Sequence, residues 1–358
     1  MSDMTGMEGI AFDSEDLEPI YESKAEEITK VISYNVANTV EVLIAKIDSN
    51  EVNLQPEFQR DFVWDINRSS LFIDSLLIGL PIPSIFLGKS KEDETYKVID
   101  GQQRLKSVYF FIKGTFVSNK KEISFALKNL QGREWNNKTY LELDEKYKRR
   151  IRNSVLNTTV IENIDSNPKI VHDIFQRLNT GGMSLTDQEI RNCIYNGLFN
   201  QTLFELNENE DWRELLGKKI PDKRLADIEL ILRFYTLLNK YSSYHPSMRE
   251  FLSDYQNKNK NEKPNTEIFT NTIRIIHKQI GNNAFRLTRN INKSVCDSVL
   301  ISIALLISEG ASLESLKERH QKLLSDEEFQ KYVSAATSSE NSVKGRIILA
   351  KNYFLGLK

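Results

Sequence analysis

The spacing of apolar residues changes along the chain, and the changes divide it. Before about residue 30 few apolar side chains recur at any regular interval, while Asp, Glu and Ser dominate. So little to bury predicts a mobile acidic arm. Over 34–47, Val36, Val40, Leu43, Ile44 and Ile47 fall on one helical face, with Asn35 or Asn38 available to start it. Val52, Leu54, Pro56 and Phe58 alternate with polar residues, the period of a short strand near a sheet edge. Asp65 or Asn67 can cap a helix over 68–77 that buries Leu71, Phe72, Leu76 and Leu77. Gly79 ends that helix and Pro81 prevents it resuming. The segments 83–87 and 96–99 read as a hairpin around a charged turn. A helix over 102–112 follows, with Leu105, Val108, Tyr109 and Ile112 inward and Gly114 closing it. A second small β segment fits between 116 and 127.

Beyond about residue 140 the period is almost entirely helical. Helices are predicted over 170–178, then from Ser184 or Thr186 through Tyr195, then over 222–240. In the last of these, Leu225, Ile228, Ile231, Leu232, Tyr235 and Leu238 share a face. The polar run 256–265 reads as a surface loop. Further helices are expected over 267–280, 293–308, 313–324, 327–336 and 343–354. The fold class is therefore α+β: a small mixed α/β domain followed by a mainly α-helical one. The expected boundaries are an arm at 1–30, an α/β domain at 31–140 and a helical domain at 141–358, without internal repeats.

Composition narrows the function. The 358 residues are 40% hydrophobic and 27% charged, ordinary for a globular protein. A formal net charge of -2 provides no global field to draw the chain to nucleic acid, which leaves only a local basic patch for that role. The two cysteines, Cys193 and Cys296, stand far apart beside apolar residues, as buried thiols rather than a disulfide or zinc pair. No basic start followed by an apolar run marks a signal peptide. The most apolar stretch, 295–307, contains Asp297 and is too short to cross a bilayer. A cytoplasmic protein without a membrane span is expected.

The sharpest chemical feature is Asp100-Gly101-Gln102-Gln103-Arg104, where a strand ends, a glycine turns the chain and a helix begins. The opening N–H groups of a helix lack intrahelical partners and sit at its positive end, which suits phosphate. Gly101 leaves room for a close approach. Arg104 leans back towards the turn, and an anion there would offset the cost of a cation at that helix end. Asp100 could hold magnesium through water beside phosphate oxygens. A plainer reading makes Asp100 and Gln103 a capping box. Gln59 and Arg60 offer a second clamp, or Arg60 pairs with Asp61 or Asp65. Trp64 fits the core better than a base-stacking platform. In 175–182, Arg177 and the glycines suit a break between helices, while Asn179 and Thr180 can face a ligand. Lys148, Arg149, Arg150 and Arg152 form a basic run for DNA phosphates, or a solvated helix face.

Phe58-Gln59-Arg60 with Trp64, Pro81-Ile82-Pro83-Ser84-Ile85, Val98 through Leu105, and Phe175 through Gly182 with Leu185 resemble, in that order and spacing, the N-terminal domain of GmrSD-type restriction endonucleases. The resemblance covers about 35–240, and the helical remainder is similar to the C-terminal half of short, stand-alone members. It implies a fold similar to the ParB/sulfiredoxin superfamily. It also implies nucleotide binding and hydrolysis at Asp100 through Arg104, with Gln59 and Arg60 lining the same pocket, and a role in restriction of phage DNA. Larger relatives carry a His-Asn-His nuclease domain. The four histidines here, His172, His245, His277 and His320, form no such segment; His320 reads as a surface residue and His245 as a turn.

The leading expectation is a sensor or switch that binds a nucleoside triphosphate (ATP, GTP or CTP) with magnesium. Asp100 and Arg104 would act in hydrolysis, and the output would go to DNA or a partner nuclease. The alternatives are a non-enzymatic DNA-binding or interaction module and a minimal ParB-like nuclease. Homo-oligomerisation stays open.

Overall fold

The computed structural model describes residues 31–54, 64–91, 93–118, 121–162, 164, 174 and 186–358. The expected acidic arm, the 170–178 helix except Ile174, and the side chain of Cys193 lie outside the described residues. The chain forms two compact units, one within Ala25–Leu185 and one over Thr186–Lys358.

In the first unit, β1 (Ser33–Thr39), α1 (Val40–Asp48), β2 (Val52–Asn53), α2 (Ile66–Ile78), β3 (Ile85–Lys89), β4 (Tyr96–Asp100) and α3 (Gln102–Lys113) follow in order. The hairpin β5 (Thr115–Ser118) and β6 (Lys121–Ser124), then α4 (Glu145–Asn153) and β7 (Val155–Ile161), complete it. The main sheet has the order β1-β7-β3-β4-β2 and is mixed. β1 is antiparallel to β7, β7 parallel to β3, β3 antiparallel to β4, and β4 parallel to β2. One core joins Ile85, Leu87 and Val98 of the sheet to Leu43, Phe72, Leu76, Leu105 and Phe111 of the helices.

Several expectations hold. Asp65 caps α2, accepting from the Arg68 N–H at 2.7 Å, and Gly79 ends it with φ 82°. The segments read as a hairpin pair antiparallel as β3 and β4, and Gly114 closes α3.

Others are corrected. The expected 34–47 helix is a strand for its first half: β1 runs to Thr39, whose side chain then caps α1 by accepting from Val42. β1 exists because β7 pairs with it, aided by Asn38 donating to Thr158 Oγ1 (3.3 Å) and Thr159 Oγ1 donating to Asn35 Oδ1 (2.8 Å). The region after 140 is not purely helical, because β7 lies inside the sheet between β1 and β3. The α/β unit thus runs well beyond the boundary expected at 140, and the basic α4 belongs to it. Leu71, expected inside, faces solvent on α2.

The second unit holds α5 (Asp187–Ile194), α6 (Leu198–Asn207), α7 (Glu210–Leu216), α8 (Ala226–Lys240), α9 (Met248–Asn259) and α10 (Thr266–Gln279). α11 (Lys293–Ser308), α12 (Leu316–Ser325), α13 (Glu327–Ser334) and α14 (Glu340–Leu355) follow. Thr186 and Glu189 form a full capping box at the start of α5. α11 is buried on nearly every side, its Ser294, Asp297, Ser298 and Ser302 included. Its one carboxylate, Asp297, receives Arg233 from α8 through two hydrogen bonds (3.0 and 2.7 Å) and Arg346 from α14 (3.0 Å). The expected loop at 256–265 begins inside α9: Gln256 is buried there and donates to Asn200 Oδ1 at 3.1 Å. Cys296 is a buried free thiol, and burial pushes its pKa up. His320 is buried rather than exposed, its Nε2 2.9 Å from the Ala284 carbonyl.

Candidate functional site

β4 delivers Asp100 to the edge of the junction, and Gly101 then takes φ 95° and ψ 8° as the residue before α3. That conformation strains any L side chain. A Cβ at Gly101 would also lie 2.9 Å from Cγ1 of Ile85 and 3.3 Å from Nη2 of Arg104. Glycine is required twice, by the backbone and by the space. Gly101, in the cap position, has no side chain with which to cap α3. The capping box expected from Asp100 and Gln103 is absent: Asp100 remains in the strand and faces Arg104, while Gln103 Oε1 accepts from the Trp64 N–H at 3.2 Å.

Arg104 does lean back across the turn. Its Nη2 donates to Asp100 Oδ2 at 2.6 Å, and its Nη1 donates to the Pro83 carbonyl and, at 3.3 Å, to the Ser84 carbonyl. The cation at the positive helix end is thus balanced inside the chain. The side chains of Arg104 and Asp100 are 13% and 39% exposed, so the pair borders solvent. The two carbonyls were not foreseen as partners. Their signal was Pro81 and Pro83, which hold the chain extended and contribute acceptors without donors.

The glutamines fasten a second segment. Gln102 Nε2 donates to the Leu54 carbonyl at 3.0 Å, and Gln103 holds Trp64. Leu54 and Trp64 flank 55–63, the stretch containing Gln59 and Arg60, so both ends of that stretch are tied to the first turn of α3. Gln59, Arg60 and Asn179 themselves lie outside the described residues. Trp64 is partly buried, packed edge-on against Phe72 at 5.9 Å with the Arg68 guanidinium 5.0 Å from its ring, as a core residue would be.

The basic run on α4 is largely engaged within the fold. Lys148 pairs with Glu145 at 3.1 Å, Arg150 donates to the Leu77 carbonyl at 2.8 Å, and Arg152 lies 3.9 Å from Glu41. Arg149 is exposed. Of the histidines, His245 is exposed in its turn, and His277 sits between Asp211 (2.7 Å) and Glu214 (2.8 Å). Among the described residues no group of three or more His, Cys, Asp or Glu could hold a metal ion, and no helix is long and apolar enough to cross a membrane.

The family model described as the GmrSD restriction endonuclease, N-terminal domain, matches residues 40–196. That span includes the α1-to-β7 framework, the Asp100–Arg104 junction and the start of the helical unit. No curated protein and no solved structure matches the chain. With the strand–glycine–helix junction and its arginine in place, residues 40–196 are similar to the N-terminal domain of the GmrSD restriction endonucleases.

Proposed function

We propose that the α/β unit binds a nucleoside triphosphate at the start of α3 and serves as the nucleotide-responsive part of a restriction system, with its output to DNA or a partner nuclease. One observation carries the reading. Arg104, the start of α3 and both ends of the segment bearing Gln59 and Arg60 meet at a glycine turn too tight for a side chain. The turn leaves the backbone open to a phosphate, and Arg104 brings the charge. The phosphate oxygens would replace Asp100 and the two carbonyls as partners of Arg104. Asp100, so released, would hold magnesium carried in with the nucleotide, because one carboxylate with phosphate oxygens and water suffices for that ion. Magnesium supplies charge neutralisation when bound. The reading extends to hydrolysis: water attacks the terminal phosphorus, a nucleoside diphosphate and phosphate leave, and the switch resets. Arg104 would then stabilise charge on the phosphoryl oxygens, with Asp100 positioning the metal or water.

The test is calorimetric titration of the full chain with ATP, GTP, CTP and UTP, each with magnesium, beside Arg104→Gln. Saturable binding by the wild type, weakened at least ~10-fold in a variant of unchanged circular dichroism, is expected from losing a charge-assisted contact. Absence of binding to all four by folded protein overturns the reading.

A further inference from the structure

The helical unit contains a cavity of about 560 Å³, well away in sequence from the junction above. Its size is that of a small-molecule site. Three helices end on it. Leu238 and Asn239 come from the last turn of α8, Asn259 is the last residue of α9, and Leu305 and Ser308 belong to the last turn of α11. A helix end carries about half a negative charge; at α11 the Leu305, Leu306 and Ile307 carbonyls are taken by the N–H groups of Glu309, Ala311 and Gly310, which leaves the ends of α8 and α9 as the more open ones. Glu262 adds a carboxylate that makes no ion pair among the described residues. Lys263 is the opposing charge on the lining. Two helices begin there: α6, whose Phe199 N–H donates to the Lys260 carbonyl (3.1 Å), and α10, which Asn265 Oδ1 caps by accepting from the N–H groups of Glu267 (3.0 Å) and Ile268 (3.4 Å). The start of α10 is thus covered by a side chain, and the start of α6 gives one of its N–H groups to a backbone carbonyl.

The side chains add to this bias. The Asn239 amide spends its Nδ2 on the Tyr235 carbonyl (2.7 Å) and the Tyr255 hydroxyl (3.0 Å). Its Oδ1 remains an acceptor. Asn259 likewise gives Nδ2 to the Tyr255 carbonyl at 2.7 Å. The apolar part of the lining combines Leu238, Pro264, Ile268 and Leu305 with an aromatic cluster, Phe199 edge-on to Tyr235 (6.0 Å) and to Tyr255 (5.8 Å). Acceptors, helix carbonyl ends, a carboxylate and aromatic rings are the environment of an organic cation. An anion would meet the Glu262 carboxylate and the open ends of α8 and α9. A neutral base would find acceptors with few fixed donors for its own ring nitrogens and oxygens.

We propose that this cavity binds a guanidinium or primary ammonium group on a short apolar stem. The experiment titrates the full chain by calorimetry with agmatine, with N-acetyl-arginine amide, with its uncharged N-acetyl-citrulline amide counterpart, and with cytidine. Both cations bind saturably, and the citrulline compound binds at least ~10-fold more weakly, the loss expected of a charged hydrogen-bonding group. Glu262→Gln weakens the cations about threefold, as for a solvent-bordering ion pair. Asn239→Leu weakens them about fivefold, as for one hydrogen bond. Agmatine bound more tightly than the blocked arginine identifies a free amine ligand, and the reverse identifies a side chain of a peptide; either supports the site. Failure of both cations to bind, equal binding of the citrulline compound, cytidine binding in their place, or affinity untouched in both folded variants overturns it.

Discussion

Replacing Gly101 with alanine tests whether the turn before α3 is a steric necessity or merely a habit of sequence. Two costs are legible in the structure. At φ 95° an L residue is strained by roughly 1–2 kcal/mol. The new Cβ would also lie 2.9 Å from Cγ1 of Ile85, which is fully buried in β3 and has no free end to swing aside. Forcing such a contact in a packed core costs about 1–3 kcal/mol. The reduced freedom of the unfolded chain returns about 0.4–1 kcal/mol. The net expectation is a loss of about 2–4 kcal/mol. Gly114 provides the control, for it has φ 77° and nothing within 4 Å of its Cβ position. Gly114→Ala carries the strain alone and loses about 1 kcal/mol. Because the chain has two units, a single melting curve would mix them. Native-state hydrogen exchange read on peptides from β3 and α3 separates the α/β unit from the helical one. Equal protection losses in the two variants, or a larger loss at Gly114, would refute the steric argument.

Two further outcomes concern the helical unit. Asp297→Ala strands Arg233 and Arg346, both buried, without their carboxylate, and is expected to cost about 3–5 kcal/mol in exchange protection of α11; a loss below about 1 kcal/mol would show that the arginines find other partners. Burial lowers the pKa of His320 from its ordinary 6.5, against the opposing pull of the Ala284 carbonyl. Below pH 6.5 the unfolded chain therefore binds a proton that the folded chain refuses. Stability falls as pH drops from 6.5 to the folded-state value and levels off beneath it. His320→Gln should flatten that slope in urea titrations between pH 7.5 and 5, and an unchanged slope would remove His320 as its source.

Local signals made the helices readable, and distant partners hid the strands. Asp65 and Gly79 bound α2 by their own chemistry, and the 293–308 helix was visible from its density of apolar residues. β1 could not be seen that way. Val36 and Val40 happen to stand four apart, so a helical face appeared to continue through a segment whose conformation is set by β7, more than a hundred residues later. The same blindness removed β7 itself, since its VLNTTVI run follows a clear helix and pairs with nothing nearby. At the site, the cluster of Asp100, Gly101 and Arg104 was legible, because strand, glycine and helix are local events. The capping box was misread because Gln103 was assigned to its own helix end, whereas it holds Trp64, a partner 39 residues away. His320 looked solvated among charged neighbours, but a helix face is decided by packing and not by the residues beside it in sequence.

The junction combines a part that cannot move with a part that can. Gly101 is packed close to Ile85, which is fully buried in β3. Arg104 is different: its ion pair with Asp100 borders solvent, where such a pair contributes about 0.2–1 kcal/mol once screening is counted. A ligand shifts an equilibrium only by binding one arrangement better than another. A triphosphate offering several charged oxygens has ample advantage over one half-exposed carboxylate and two neutral carbonyls. The exchange of partners at Arg104, rather than movement of the glycine turn, is therefore where a nucleotide would act. The two variants should then separate: Gly101→Ala lowers stability, whereas Arg104→Gln lowers affinity with stability held. If Arg104→Gln instead unfolds β3 and α3, the arginine is a strut joining Pro83 and Ser84 to the helix, and the partner exchange cannot occur.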